Sequence, residues 1–363
     1  MSPLPRDNVL HANNFDLLRL LSALQVLAYH TVNRLGLPLE HGWWLLEVLP
    51  GVPVFFAISG FLIAAALERQ PPLRRYVANR LYRTLPGLWF CVLVTLPIAA
   101  LSGIDVLQWQ APVWLLAQMV GLIYTPAFLK EFGIGSYNGS LWTIPVELQF
   151  YVLLPLLFAL LAYHWRGDRR LQNAVLTLVW IGFVGLGIAL QKVWPMPISN
   201  EPVSMVGKVL HYSFLPHFHL FLVGVLMQRL RLWQSPWIAG RGLYWIILYA
   251  LVVWLLPDDP VAHVIKLLML GVTVIACAYT VTGLAQRWLG GNDISYGVYI
   301  YHGLLINFGL HLGAQGSYGA AFLLVICSIG AGWLSWQFVE RPMLAMKKRG
   351  VLQAYPDSGA PTR

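Results

Sequence analysis

Hydrophobic residues fill long stretches of the chain, and short polar segments separate these stretches from about residue 14 to residue 345. A helix that crosses a bilayer needs roughly 20 mostly apolar residues. Ten stretches approach or exceed this length, at residues 14–34, 43–68, 77–102, 141–164, 173–193, 206–230, 236–256, 261–286, 294–313 and 319–345. The pattern therefore predicts an all-α polytopic membrane protein, a bundle of about ten transmembrane helices.

A shorter apolar stretch lies at residues 111–125, flanked by Pro112 and Pro126. Its length predicts a short interfacial or re-entrant helix. We expect residues 1–348 to form one transmembrane domain, and residues 349–363, rich in Pro, Ser and Gly, to form a short disordered cytoplasmic tail. The polar N-terminal segment lacks the features of a cleavable signal peptide, so the first helix is expected to remain in the protein.

The basic residues predict the orientation of the bundle. With a cytoplasmic N-terminus and ten crossings, 18 Lys and Arg residues fall on the cytoplasmic side and 5 on the other, while Arg19 stays inside the membrane. This bias follows the positive-inside rule, so both termini are expected in the cytoplasm.

Composition excludes several classes of protein. With 58% apolar and 11% charged residues, the chain has too little polar surface for a water-soluble globule. The net charge of +9 comes from clusters at the ends of apolar stretches, which indicates membrane anchoring and no nucleic acid partner. Cys91, Cys277 and Cys327 lie in apolar stretches without a CxxC motif. The segment HYSFLPHFH, with three histidines, lacks the i,i+4 pair and carboxylate of a helical metal site, so no metal is predicted.

Asp16, Arg19 and His30 stand out among the residues of the first helix. Such groups are costly at membrane depth and are usually functional. Arg19 and His30 return to within about 20° of the same helix face, about 16 Å apart along the axis. Two structural explanations stay open: an i,i+3 ion pair between Asp16 and Arg19, and a hydrogen-bonded core role for His30.

Two further motifs have both a functional and a structural interpretation. Ser59, Gly60 and Phe61 either allow close packing of helices or open space for a ligand beside the first helix. Arg80 and Arg83 share a helix face, so they either bind a phosphate-bearing ligand or anchor the protein to lipid headgroups.

The fourth and the last two predicted spans also carry polar groups. Glu147 lies near the depth of His30, and Tyr151, four residues on, can donate to it; alternatively, Glu147 neutralises a cation of another helix. An aromatic belt and a snorkelling terminus explain most of the remaining polar and aromatic residues of these spans. These residues are Tyr296, Tyr299, His302, Glu340 and Arg341.

Together these segments resemble the bacterial acyltransferase 3 family over nearly the whole chain. The family's first-helix pattern, with ten residues between arginine and histidine, matches Asp16, Arg19 and His30. Its later motifs also match in order. They are Ser59-Gly60-Phe61, Arg80-x-x-Arg83 before Pro86, the segment that contains Trp142, Glu147, Gln149, Phe150 and Tyr151, the segment from Ile294 to His302, and the ending Glu340 to Pro342.

The resemblance implies transfer of an acyl group, often acetyl, from cytoplasmic acyl-CoA to a hydroxyl of an envelope or exported glycan or a lipid-linked sugar, in the bacterial inner membrane. The residues then suggest roles: His30 as general base, Glu147 as its partner, and Arg19 at the thioester or oxyanion. Arg80 and Arg83 would bind the donor's phosphates, with its arm passing Ser59 and Gly60. Acyl-CoA enters as a substrate and no bound cofactor is expected. Direct transfer and an acyl-histidine intermediate both stay open, and no oligomeric state is predicted.

The competing hypothesis is a transporter or flippase of lipid-linked sugars, in which the buried Arg, His and Glu form a proton relay. The sequence shows no convincing internal repeat, which weakens this hypothesis because many transporters are built from inverted repeats.

Overall fold

The computed structural model describes residues 13–38, 44–69, 72–194 and 204–346, and in these ranges the regular structure is helical, without strands. The α-helices are α1 Phe15–Arg34, α2 Trp44–Val48, α3 Gly51–Glu68, α4 Leu73–Leu101, α5 Gln110–Met119, α6 Thr143–His164, α7 Arg169–Val193, α8 Met205–His211, α9 Phe218–Arg229, α10 Gly242–Leu255, α11 Pro260–Ala278, α12 Leu284–Leu289, α13 Ser295–His311 and α14 Tyr318–Ser335. Short 3-10 turns lie at Ala127–Leu129, Gly139–Trp142 and Leu232–Gln234, and a π-helical turn follows α14 at Trp336–Glu340.

Six helical segments of the described chain are long and apolar enough to cross a membrane. They are Leu45–Glu68, Leu73–Leu101, Gly139–His164, Arg169–Val193, Pro260–Ala278 and Tyr318–Met346. These segments support a multi-pass membrane protein and lie where the sequence predicts spans. The count of ten spans stays a prediction, since the helices at the other four places are shorter or more polar.

Two predicted spans are interrupted. The stretch at 206–230 forms α8 and α9, with a break that contains Pro216, a residue that cannot donate a backbone N–H and restricts the residue before it. The stretch at 43–68 is divided in the same way before α3, where Pro50 is the N-cap. The stretch at 111–125 forms the ten-residue helix α5, which agrees with the prediction of a short element. The predicted tail at 349–363 lies outside the described residues.

Polar side chains cap the N-termini of several helices. Asp168 accepts from the backbone N–H of Leu171 at 2.9 Å at the start of α7, and Asp259 accepts from those of Val261 and Ala262 at the start of α11. These caps satisfy N–H groups that have no partner inside the first turn of a helix. The boundaries of α7 and α11 therefore follow from local sequence.

The chain divides into two compact units, and α1 contributes to each of them. The first unit comprises Met1–Val26, His41–Arg69 and Pro145–Asn292. In it, α3 and α9 cross very closely, because a Cβ atom on Gly60 would lie 1.9 Å from the carbonyl oxygen of Phe221, and one on Gly224 would lie 1.9 Å from that of Ala57. Small residues allow this backbone approach.

A polar network around the buried Arg229 also connects helices of the first unit. Glu68, at the end of α3, accepts from Arg169 and from Gln228 and forms an ion pair with Arg229 at 3.8 Å. Arg229 also donates to Asn173 at 2.9 Å. The acceptors around the buried guanidinium of Arg229 compensate its loss of hydration. The network therefore holds α3, α7 and α9 together where they meet.

The second unit comprises Leu27–Glu40, Gln70–Ile144 and Asp293–Arg363. Its centre is α13, which packs on α14 where a Cβ on Gly297 would lie 2.8 Å from Gly332. The segment before α6 is held on α13 by hydrogen bonds: Asn138 donates to the carbonyl of Ile300 at 2.7 Å, and the Tyr299 hydroxyl donates to the carbonyl of Ser140 at 3.0 Å. These bonds fix the middle of α13, the part that carries His302.

Candidate active site

His30 and His302 meet in the second unit. Nδ1 of His30, near the end of α1, lies 3.0 Å from Nε2 of His302, in the middle of α13, and the two rings are tilted by 39°. His302 is fully buried, at 0% exposure, whereas His30 is partly exposed. Nδ1 of His302 lies 3.3 Å from the carbonyl oxygen of Val298. The pair therefore combines a partly exposed histidine with a buried histidine that is hydrogen-bonded to a backbone carbonyl of its own helix.

Arg80 and Arg83 have different surroundings within the same unit. Arg83 donates to the carboxylate of Asp293, which also accepts from the backbone N–H and the hydroxyl of Ser295 at the start of α13. The Arg80 guanidinium lies over the ring of Tyr76, 5.9 Å from its centroid. Asp293 is buried, so its charge is balanced by Arg83 and its orientation is fixed by Ser295. Arg83 is thus held at the end of α13 that precedes His302.

Glu340 lies in the π-helical turn after α14 and is 2% exposed. One carboxylate oxygen accepts from the Ser335 hydroxyl at 2.9 Å, and the other has no hydrogen-bond partner among the described residues. Isolated π-helical turns are frequent at functional sites. His302 and Glu340 are both buried, so they are exceptions to the aromatic-belt and snorkelling interpretation.

Asp16 and Arg19, in the first turns of α1, form a local pair in the first unit. Arg19 donates to Asp16 at 3.3 Å, with side-chain exposures of 19% and 49%. This is the i,i+3 ion pair that the spacing predicts as the structural explanation.

Glu147 joins α6 to α3 in the first unit. One of its carboxylate oxygens accepts from the Tyr151 hydroxyl at 2.6 Å and from the Ser59 hydroxyl at 3.2 Å. The predicted i,i+4 contact of Tyr151 with Glu147 is confirmed. Neighbouring Phe61 is fully buried, and Gly60 faces the backbone of Phe221. Close packing therefore accounts for the glycine of this motif, and a role for the motif in binding a ligand stays a prediction.

The structure brings together His30 with His302 and Arg83 with Asp293 in the second unit, and Ser59 with Glu147 and Tyr151 in the first. The predicted partnership of Glu147 with His30 joins residues of different units and stays a prediction. Trp142 ends the 3-10 turn before α6. Sequence reasoning missed Asp293, although its position two residues before a serine at a helix start is typical of a local cap.

The helices and the paired histidines define a multi-pass membrane protein with a candidate acid–base site. A family model described as an acyltransferase domain matches residues 13–338. The chain belongs to this family, the acyltransferase 3 family, and is an O-acyltransferase. This assignment favours the enzyme hypothesis over the transporter hypothesis.

Two relatives are similar to most of this chain, and one of them is named as an O-acetyltransferase. Nodulation protein 10 of Rhizobium leguminosarum bv. viciae is 28% identical over 374 residues, which cover 95% of this chain and 96% of the relative. The peptidoglycan O-acetyltransferase OatA of Listeria monocytogenes is 21% identical over 387 residues, which cover 94% of this chain and 57% of the relative. The chain thus spans little more than half the length of the second protein. No solved structure matches the chain.

Proposed function

We propose that this enzyme transfers an acyl group, acetyl in the simplest case, from cytoplasmic acyl-CoA to a hydroxyl of a cell-surface or exported glycan or of a lipid-linked sugar. His30 is the general base. The observation that carries the proposal is the contact of a partly exposed His30 with the buried His302 in a chain of this family. The names of the relatives, which include a peptidoglycan O-acetyltransferase, support a glycan acceptor.

The reaction needs one base and one acid. The neutral imidazole of His30 takes the proton of the acceptor hydroxyl as the hydroxyl oxygen attacks the thioester carbonyl. The tetrahedral intermediate collapses, the carbon–sulfur bond breaks, and the leaving thiolate takes the proton from the imidazolium. An ester and free CoA thiol result, and His30 returns to its starting state.

The donor's phosphates are proposed to bind at Arg80 and Arg83. A guanidinium presents its N–H donors in a planar arrangement that matches the oxygens of a phosphate, and Arg83 contacts Asp293 through one of its terminal nitrogens. That ion pair also holds the side chain in one orientation before a phosphate arrives, which lowers the entropic cost of binding.

In this proposal, α13 connects the donor site with the base, because Asp293 next to its start contacts Arg83 and His302 in its middle contacts His30. Asp293 lies just before the helix, and Ser295 at its start is about 10 Å along the axis from His302, seven residues later. An acyl-CoA held by its phosphates at Arg83 would then extend its thioester along the helix towards His30.

The proposal places the protein in the bacterial inner membrane with both termini in the cytoplasm, as the excess of basic residues on one side supports. The arginines then lie at the cytoplasmic mouth, where acyl-CoA is available.

Mass spectrometry of surface polysaccharide tests the proposal. We expect a mass increase per acetyl group in cells with the protein, and its loss in a deletion strain and in a strain with His30→Ala. His164→Ala is the matched control, because His164 is exposed at the end of α6. Normal acylation by a correctly inserted His30→Ala protein would refute the role of His30. A deletion strain that no longer exports the glycan at all would indicate a transporter.

A further inference from the structure

We propose that His302 is a positioning residue that fixes the tautomer of His30, so that Nε2 of His30 is the atom that takes the acceptor proton. The inference rests on the proposed function and adds a residue to it. It follows from the hydrogen bonds of one buried side chain.

The first step concerns the far side of the His302 ring. Nδ1 of His302 lies 3.3 Å from the carbonyl oxygen of Val298, one turn earlier in α13. A carbonyl oxygen only accepts hydrogen bonds, so this nitrogen carries the proton. A neutral imidazole has one N–H, and Nε2 of His302 is therefore an acceptor.

The second step transfers this constraint to His30. Nδ1 of His30 lies 3.0 Å from Nε2 of His302, within hydrogen-bond range. Because Nε2 of His302 is the acceptor, Nδ1 of His30 must donate. The remaining nitrogen of His30, Nε2, then has its lone pair available for a proton from the acceptor hydroxyl.

The third step is that His302 has little freedom to change this arrangement. The side chain is fully buried, and the neighbouring turn of α13 is bound from the segment before α6, through Asn138 to the carbonyl of Ile300 and through Tyr299 to that of Ser140. A flip of the His302 ring would break its bond to Val298 and its bond to His30 together. The cost of leaving buried polar groups unpaired therefore maintains one tautomer.

The same hydrogen bond also stabilises His30 after it has taken up the proton. When Nε2 of His30 accepts the proton, Nδ1–H still donates to His302, and a hydrogen bond from a charged donor is stronger than a neutral one. No proton moves to His302. A carboxylate performs this task in a serine hydrolase triad, whereas here the acceptor is a neutral imidazole.

Two substitutions separate the acceptor role from packing. His302→Leu fills the site without an acceptor, and His302→Gln places a carbonyl oxygen near the position of Nε2. Transfer is measured with radiolabelled acetyl-CoA in membrane vesicles of the producing bacterium, lacking its own copy of the enzyme and supplied with each variant at equal amount. The label enters the glycan that the vesicles contain.

We expect His302→Leu to lower kcat about 100-fold, in the range of a misdirected general base, while KM for acetyl-CoA changes less than about threefold. His302→Gln should recover activity to within about tenfold of the wild type. Full activity of His302→Leu, or a folded His302→Gln no more active than the leucine variant, would overturn the inference.

If the His302 variants do not fold, a spectroscopic measurement on the wild-type protein still tests the inference. In the wild-type protein labelled with ¹⁵N-histidine, the signals lost in His30→Ala identify His30, and its nitrogens should show the proton on Nδ1. A proton on Nε2 would overturn the inference whatever the activities are. If His30→Ala keeps full activity, the proposed role of His30 as the base fails; if only His302→Leu keeps it, that role stands and this inference fails.

Discussion

The close crossing of α3 and α9 gives a quantitative prediction for Gly60→Ala. The new Cβ would lie 1.9 Å from the carbonyl oxygen of Phe221, whereas ordinary contacts begin at 3.4 Å, so one backbone must move by about 1.5 Å. Overpacking costs about 1–3 kcal/mol, and we expect the upper end because the opposing atom belongs to a helix backbone and cannot rotate away. With the usual unfolding entropy per residue, about 3 kcal/mol lowers Tm by about 4 °C.

The assay is thermal unfolding of the purified protein in detergent, followed by circular dichroism at the helical band. Gly185→Ala is the matched control, because Gly185 is exposed on α7 and a Cβ there meets nothing within 4 Å. We expect the control to unfold at or slightly above the wild-type temperature, since alanine favours a helix over glycine.

An unchanged Tm for Gly60→Ala would refute the packing argument. If the same variant also had a raised KM for acetyl-CoA, the space beside Gly60 would belong to a ligand, the other interpretation that the sequence allows for this motif.

Two further predictions concern residues around the proposed site. Asp293→Asn weakens the charge-assisted bond that orients Arg83, so KM for acetyl-CoA should rise about tenfold while kcat changes little, as measured by initial rates in vesicles; an unchanged KM would show that the ion pair does not prepare Arg83 for the donor. Tyr151→Phe removes one of two donors to Glu147 and should lower the free energy of unfolding by about 1–2 kcal/mol, as measured by thermal denaturation against Tyr163→Phe, an exposed control. A Tyr151→Phe protein as stable as the control would contradict the contact with Glu147.

Local spacing predicted the contacts that lie within one helix. The Asp16–Arg19 ion pair and the Tyr151–Glu147 hydrogen bond follow from separations of three and four residues, and both are present. The positions of the long apolar helices also follow from composition, because a bilayer sets their length. The interruptions of these helices were harder to predict, because some prolines end a helix and others do not. A helix is broken where Pro216 lies, whereas α4 continues through Pro86 and Pro97.

The contacts that define the candidate site were not predictable from spacing. His30 and His302 are 272 residues apart, and Arg83 and Asp293 are 210 apart, so only the packing of the second unit brings each pair together. Arg80 and Arg83 share a helix face, as expected, but one lies over an aromatic ring and the other binds a carboxylate. The burial of His302 and Glu340 was likewise not predictable from spacing, because it depends on the packing of their helices within the second unit.

The most direct test of the central claim is the rate of acyl transfer from radiolabelled acetyl-CoA in vesicles that contain wild-type protein, His30→Ala or His164→Ala. A general base contributes about 10²–10⁴-fold. We therefore predict a loss of at least about 100-fold in kcat for His30→Ala, measured on folded protein, and wild-type rates for His164→Ala. A folded His30→Ala protein that transfers acetyl groups at the wild-type rate would contradict the account.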